Sequence, residues 1–248
     1  MPRLRAVLFD IDDTLFSTSE FAGHARRNAM QAMIEHGLNM DLEEAIRELD
    51  EVIAEFSSNY PSHFDKLLLR IPSSRYAGVN RAILVAAAIK EYHDTKSREL
   101  RPFPEVLGTF QLLSRTDLII GIISAGLEIK QAEKLVRLGL YPFLTPTAIF
   151  ISDQIGISKP NVKIYQTVCA SLSIEPGELM YVGDNPFHDI DPCNRLGIIT
   201  VRTRRGSRYS TVEGETKPRY EIESMNELLD ILWEDFEIPL LPARKPKS

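Results

Sequence analysis

The sequence predicts an α/β fold, a doubly wound parallel sheet with an inserted α-helical domain, and three observations carry that reading. Short, nearly continuous apolar runs recur along the chain. The segments between most of them have helical periodicity, and one long stretch after the first run has no strand-like pattern. Runs apolar at every position suit strands buried on both faces, the situation created when crossover helices cover both sides of a parallel sheet.

The first run is Arg5-Ala-Val-Leu-Phe9, which ends abruptly in acidic residues. From Ser17 to Glu99 the chain reads as successive helices. Gly37 ends one of them, and Asp41 with Glu44 three residues on forms a capping box for the next. In that helix Leu42, Ala45, Ile46, Leu49, Ile53 and Phe56 fall on one face. Pro61 and Pro72 punctuate the remainder of the stretch, and Pro102 and Pro104 mark the return to the sheet. Further strands are expected at Leu118–Ser124, Thr147–Ile151, Leu179–Gly183 and Gly197–Val201, and a last capped helix at Ser224 with Glu227. The expected organisation is a core of residues 1–16 and 100–238, a helical domain of residues 17–99, and a flexible Pro- and Lys-rich tail at 239–248.

With 248 residues, 44% of them hydrophobic, the chain can bury a large core. Its 29 basic against 35 acidic residues offer no basic face for nucleic acid, and none is expected as a partner. The arginines Arg202, Arg204, Arg205 and Arg208 beside Gly206 read as a solvated loop. Cys169 and Cys193 are too few for a disulfide framework and read as core residues. His24, His36, His63, His93 and His188 lack metal-ligand spacing. No secretory signal pattern follows Met1, and no apolar run reaches a membrane-spanning length, so a cytoplasmic protein without a membrane partner is expected. Oligomeric state has no signature.

Asp10, Asp12 and Asp13 directly follow the first strand, where open α/β sheets bind ligands. Asp10 and Asp12, at i and i+2, project to the same side of an extended chain. Carboxylates so close repel unless a cation is shared, and a hard ion such as Mg²⁺ suits them. Alone, an acidic turn is the commoner meaning of such a pair. Three later signals change the balance. Ser124, Ala125 and Gly126 end a strand with a hydroxyl and backbone N–H groups at a helix start, suited to gripping phosphate oxygens. Lys159 precedes a helix and can neutralise charge on a transferring group. Gly183-Asp184, with Asp189 beyond, again sets acid after a buried strand.

In this order the four signals resemble the motifs of the haloacid dehalogenase superfamily, with Asp10-Ile-Asp12-Asp13-Thr14-Leu15 as the first, Ser124 the second, Lys159 the third, and Gly183-Asp184 with Asp189 the fourth. The resemblance implies that Asp10 is the nucleophile and Asp12 the general acid and base. Ser124 and Lys159 would hold the phosphate and the nucleophile. It further implies a Mg²⁺ site made by Asp10, Asp12 through its backbone carbonyl, Asp184, and Asp189 as ligand or support. The dehalogenases and phosphonatases of the superfamily lack an aspartate at the position of Asp12, so phosphate ester chemistry is implied. The helical stretch between the first and second motifs resembles a type-one cap, which restricts such enzymes to small molecules.

The implied activity is a Mg²⁺-dependent phosphatase for a small phosphorylated metabolite of sugar or triose type, acting through an aspartyl-phosphate. A phosphomutase would keep the same residues, and a non-catalytic phosphate-sensing module would be expected to lose some of them. Two positions depart from the common pattern. Ala125 stands where an asparagine is usual, and Asp189-Ile-Asp191-Pro-Cys193 adds an acid and a proline, Asp191 reading as a helix-start acid. Arg70, Arg75 and Tyr76 are candidates for facing a substrate.

Overall fold

A computed structural model describes residues 3–205 and 209–240. Arg208, Gly206 and most of the tail, from 241 onward, lie outside the described residues. The chain divides into two compact units, Met1–Ser17 with Arg101–Ser248, and Thr18–Leu100.

The first unit is built on six strands, β1 (Ala6–Phe9), β2 (Ile119–Ser124), β3 (Ile149–Ile151), β4 (Leu179–Gly183), β5 (Ile199–Thr203) and β6 (Tyr220–Ile222). They form one parallel sheet in the order β3-β2-β1-β4-β5-β6. The chain thus builds outward from β1 on one side, then returns to pair β4 with its other edge. That reversal opens a crevice at the carboxyl ends of β1 and β4, the usual place for a ligand in such sheets. The register aligns the ends: Phe9 lies opposite both Ile122 and Val182.

The second unit is helical, with α1 (Thr18–Glu35), α2 (Leu42–Phe56), α3 (His63–Arg70) and α4 (Arg81–Glu99). Met30, Met33, Leu49, Leu67, Leu68 and Leu84 are central to its own core. Asp41 caps α2 by accepting from the Glu43 and Glu44 backbones, whereas the Glu44 carboxylate takes Arg75 Nη2 at 3.1 Å. Val52 is buried in α2 and Phe56 is exposed, its ring 5.0 Å from that of Tyr60. Arg70 pairs with Glu48, Glu51 and Glu55, and the Tyr76 hydroxyl donates to the Leu68 carbonyl. Arg70, Arg75 and Tyr76 thus each have partners within the helical unit.

The helices of the first unit are α5 (Val106–Leu113), α6 (Glu128–Arg137), α7 (Ser152–Ile155), α8 (Val162–Leu172), α9 (Asp191–Leu196) and α10 (Met225–Glu234). Between them β1 is fully buried, as its unbroken apolar run requires. Ala6 and Leu8 join a cluster with Ile123, Tyr165, Val168 and Tyr181, while Phe9 sets its ring 4.7 Å from that of Phe110 in α5. Gly121 lets β2 and the segment before β3 approach closely, since a Cβ there would lie 2.2 Å from the Ala148 carbonyl oxygen. Among the described residues no helix is long and apolar enough to cross a membrane.

Two departures from the expected strands have local causes. Gly197 adopts φ +78° and ends α9, so β5 begins at Ile199 rather than Gly197. β5 then runs on through Arg202 and Thr203, polar residues that are nonetheless buried. The expected solvated arginine loop is instead a set of internal clamps. Arg202 donates to the carbonyls of Tyr209 and Val212 and pairs with Glu213; Arg204 pairs with Glu213 and Glu221; Arg205 pairs with Glu105 and lies over the Phe103 ring. The carboxylate of Asp191, expected to serve its own helix start, accepts instead from the backbone N–H groups of Glu215 and Thr216 and from the Thr216 hydroxyl. These hydrogen bonds outweigh the effect of burial and hold its carboxyl below the usual range. The three-residue β6, too short to leave a periodic signal, pairs with β5 from Val201 opposite Tyr220.

Gly121→Ala sets a methyl group against a backbone carbonyl that cannot rotate away. Its expected effect is a loss of about 1–3 kcal/mol of stability, read as a lower urea midpoint at unchanged slope.

Candidate active site

Asp10 is the last residue of the first strand segment to bond into the sheet, its N–H donating to the Val182 carbonyl at 2.9 Å. The chain then turns sharply: the N–H groups of Thr14 and Leu15 both return to the Ile11 carbonyl, and Asp13 takes φ +54°, a conformation aspartate tolerates better than most residues. This turn leaves the Asp10 side chain at the crevice, buried to 7% exposure.

Lys159 organises the surroundings of Asp10. Its ammonium donates to Asp10 Oδ1 at 2.7 Å, to Asp189 Oδ1 at 2.7 Å and to the Tyr181 hydroxyl at 3.1 Å. All three of its protons are thereby used. Tyr181 passes its own proton to the Ile123 carbonyl at 2.8 Å, which ties the lysine to the sheet through a neutral group. The lysine lies just before α8, whose first turn is capped by the side chain of Asn161.

Asp184 follows β4 directly, and Asp189 lies in a π-helical turn, Pro186–Ile190, that leads into α9. Such turns recur at functional sites because they redirect side chains without ending a helix. The turn is held at both ends. Asn185 accepts from the Phe187 and His188 backbones, and its own N–H donates to Asp189 Oδ2 at 3.0 Å. The Tyr165 hydroxyl donates to the His188 carbonyl at 2.6 Å. Gly183 makes room, because a Cβ there would lie 2.4 Å from Asp189 Oδ2.

The result is a group of three buried carboxylates, Asp10, Asp184 and Asp189, whose oxygens lie within 4.8 Å of one another. Burial above all pushes the Asp10 carboxyl up to about 7, with Asp189 and Asp12 adding to the rise and Lys159 opposing it. Burial alone would lower the Lys159 ammonium, but the charges of Asp10 and Asp189 outweigh it and hold the group protonated. Three carboxylates facing one ammonium leave a surplus of negative charge in a poorly solvated place, and several kcal/mol attach to each such ion left uncompensated. Hard oxygen donors in that arrangement fit a divalent cation of the Mg²⁺ class. The carboxylate of Asp12 is not part of this group. It turns to α6, where Lys134 Nζ lies 2.6 and 2.7 Å from its two oxygens and Gln131 Nε2 3.0 Å from Oδ2.

At the end of β2, Ser124 is buried and its hydroxyl accepts from Gln131 Nε2 at 2.8 Å, which leaves its own proton to be donated elsewhere. The N–H of Gly126 is donated to Ser152 Oγ and that of Glu128 to Asp153 Oδ2. The open row of N–H groups expected at this helix start is thus already partly used. Gly126 is still required, at φ +145° and with a Cβ position only 3.0 Å from Gln131 Nε2. Gln131, Lys134 and Tyr181 belong to none of the motifs that mark the site in the sequence, and Asn185 lies within the fourth without a role assigned to it. A signal exists for two of them: Gln131 shares the buried face of α6 with Leu135, and Tyr181 sits two residues before Gly183 in a strand otherwise without polar side chains. A glutamine or tyrosine so placed needs a partner.

Residues 7–203 match the family model described as haloacid dehalogenase-like hydrolase. A glyceraldehyde 3-phosphate phosphatase of Methanopyrus kandleri is 45% identical over 236 residues, covering 93% of this chain and 98% of that protein. One of Methanocaldococcus jannaschii is 38% identical, covering 92% of this chain and 97% of that protein. A solved structure of a HAD phosphatase from Thermococcus onnurineus superposes with a TM-score of 0.65 at 24% identity, over 92% of this chain and 98% of that one, and so shares the fold. With its parallel sheet, its acidic cluster at the switch point and a match across most of its length, the chain belongs to the haloacid dehalogenase-like hydrolases.

Proposed function

We propose that the protein is a Mg²⁺-dependent phosphatase for a small phosphorylated sugar of triose type, glyceraldehyde 3-phosphate first among candidates, and that it works through an aspartyl-phosphate on Asp10. The observation that carries the mechanism is the arrangement of Asp10, hydrogen-bonded to Lys159 inside a buried cluster of carboxylates. The substrate class is supported by the two relatives that align over nearly their whole length. Asp10, Asp184, Asp189 and the backbone carbonyl of Asp12 would hold the ion. When bound, Mg²⁺ supplies the positive charge that offsets repulsion between a carboxylate and a phosphate dianion.

The chain's own groups account for the rest. Lys159 fixes the nucleophile through one oxygen and keeps positive charge beside the transferring group. Ser124 has a hydroxyl proton to offer a phosphate oxygen, and the Ala125 backbone follows it in the same turn. Gly126 shapes that turn. Asp10 attacks phosphorus while Asp12 gives its proton to the departing alkoxide; Asp12 then takes a proton from water as that water attacks the phosphoryl group and frees Asp10. Proton and charge balance at each step.

Two outcomes are expected. Phosphate release from glyceraldehyde 3-phosphate, measured within a panel of phosphate esters, requires Mg²⁺ and falls by about 10³-fold or more in Asp10→Asn; an inert wild type, or an unimpaired variant, rejects the aspartyl-phosphate. The second outcome concerns pH. The Asp10 carboxyl binds its proton more tightly folded, near 7, than at its ordinary 3.8. In the metal-free protein its contribution to stability is therefore complete below about pH 4 and is lost as pH rises through 7. Thermal melting without metal should fall from pH 5 to pH 8, and Asp10→Asn should flatten that slope. Mg²⁺ at a hundred times its Kd should restore about 2.7 kcal/mol, and an equal gain in Asp184→Asn would show that the ion binds elsewhere.

A further inference from the structure

We infer that Lys134, seconded by Gln131, is the positioning residue for Asp12, holding the acid and base of the reaction in line with the scissile oxygen. The inference rests on the proposed role of Asp12 and adds to it a helix that no motif marks.

Asp12 lies beyond the end of β1, in the turn that bridges back to Phe16, so no strand fixes its side chain. Its anchors come from α6. Lys134 reaches both carboxylate oxygens, and its ammonium lies 5.8 Å from the Phe16 ring centroid, an arrangement that confines it on a second side. One turn earlier, Gln131 Nε2 lies 3.0 Å from Asp12 Oδ2, 2.8 Å from Ser124 Oγ and 2.8 Å from the Ala125 carbonyl. The two N–H protons of one amide, shared among these three acceptors, thus join the carboxylate of Asp12 to the hydroxyl and backbone at the end of β2.

The orientation of that amide is set by charge. With oxygen and nitrogen exchanged, an amide oxygen would face both a carboxylate and a carbonyl. In the orientation that avoids this, Gln131 Oε1 is buried with no partner among the described residues. An unsatisfied acceptor costs about 1–3 kcal/mol, so stability alone would favour an apolar residue on this buried helix face. The amide is explained by the groups its nitrogen holds. A bland surface ion pair is also a poor description of Lys134, since its side chain is 19% exposed, Asp12's is 30% exposed, and both carboxylate oxygens are engaged.

Positioning matters most where a proton must be delivered. In phosphoryl transfer to Asp10, Asp12 carries a proton on one oxygen and accepts from Lys134 through the other; the bond from phosphorus to the ester oxygen breaks and that oxygen takes the Asp12 proton. An alkoxide needs the proton, whereas a nitrophenolate departs without it. Lys134 therefore acts on the first kind of ester and hardly on the second, a difference that a residue supporting only the fold, or touching only the phosphate, does not produce.

The test compares kcat/KM, which reports the steps through ester cleavage, for the best alkyl phosphate of the panel and for p-nitrophenyl phosphate. Full-length wild type, Lys134→Met, Lys134→Arg and Asp12→Asn are assayed with saturating Mg²⁺. Lys134→Met should lose about a hundredfold on the alkyl ester, the scale expected when a reacting group is displaced by about 1 Å, and less than about fivefold on the aryl ester. Lys134→Arg should recover most of the loss. Equal losses on both esters, or no loss on the alkyl ester, overturn the inference. Asp12→Asn separates the two levels: if it retains alkyl turnover, the acid-base role of Asp12 itself is wrong, whereas if it is inactive on the alkyl ester and Lys134→Met is not, only the positioning role falls.

Discussion

The arrangement at the crevice depends on one ammonium. Lys159 is buried, and it stays charged because two carboxylates and a phenol hydroxyl take its three protons. Each partner comes from a different part of the chain: Asp10 from the end of β1, Tyr181 from within β4, Asp189 from the turn beyond it. Removing the lysine would leave Asp10 and Asp189 facing each other without compensation, and breaking a buried pair by deleting one partner is far more disruptive than never having made it. The site is thus a set of carboxylates gathered around a cation, with a remaining negative surplus suited to a second one.

Backbone geometry decides whether that gathering is possible. The parallel register brings the ends of β1 and β4 level, and Asp10 extends the pairing by one residue through its N–H. Gly183 then permits Asp189 to lie directly against β4. Any side chain at that position would displace the carboxylate that anchors Lys159. On the other side of β1, Gly126 allows the Gln131 amide to come within reach of Ser124. The two glycines have the same purpose, which is to let a side chain from a following helix or turn touch the end of the strand before it.

Much of this is legible in the residues. Unbroken apolar runs ending in Asp10, Ser124 and Gly183 are enough to place the strands along the chain and to locate their chemically active ends, because a buried strand has few ways to be read and its termination in polar residues is abrupt; the order in which they pair is not written in the runs. Arg202 misleads for the complementary reason. A charged residue near a strand end normally signals exit to solvent, and the carbonyls of Tyr209 and Val212 together with the Glu213 carboxylate, supplied from a loop, make its burial tolerable. Asp191 reads as serving the nearest helix, whereas its partners are more than twenty positions away. Local signals predict local partners, and long-range polar pairs leave no periodic trace.

The same limit applies to the two aspartates of the first motif. Spacing of two says which side of an extended chain a residue leaves, not which partners its side chain then finds. The Asp10 carboxylate shares Lys159 with Asp189, while the Asp12 carboxylate shares Lys134 with Gln131. A nucleophile must be close to cationic charge, which Lys159 supplies and a bound cation would increase against the upward pull of burial on the Asp10 carboxyl, whereas an acid and base must reach the leaving oxygen and exchange its proton repeatedly. A turn that leaves one carboxylate in a buried cluster and the other at a partly open helix face suits this division. On the proposed mechanism, the separation of roles between two chemically identical residues is therefore a consequence of where β1 ends.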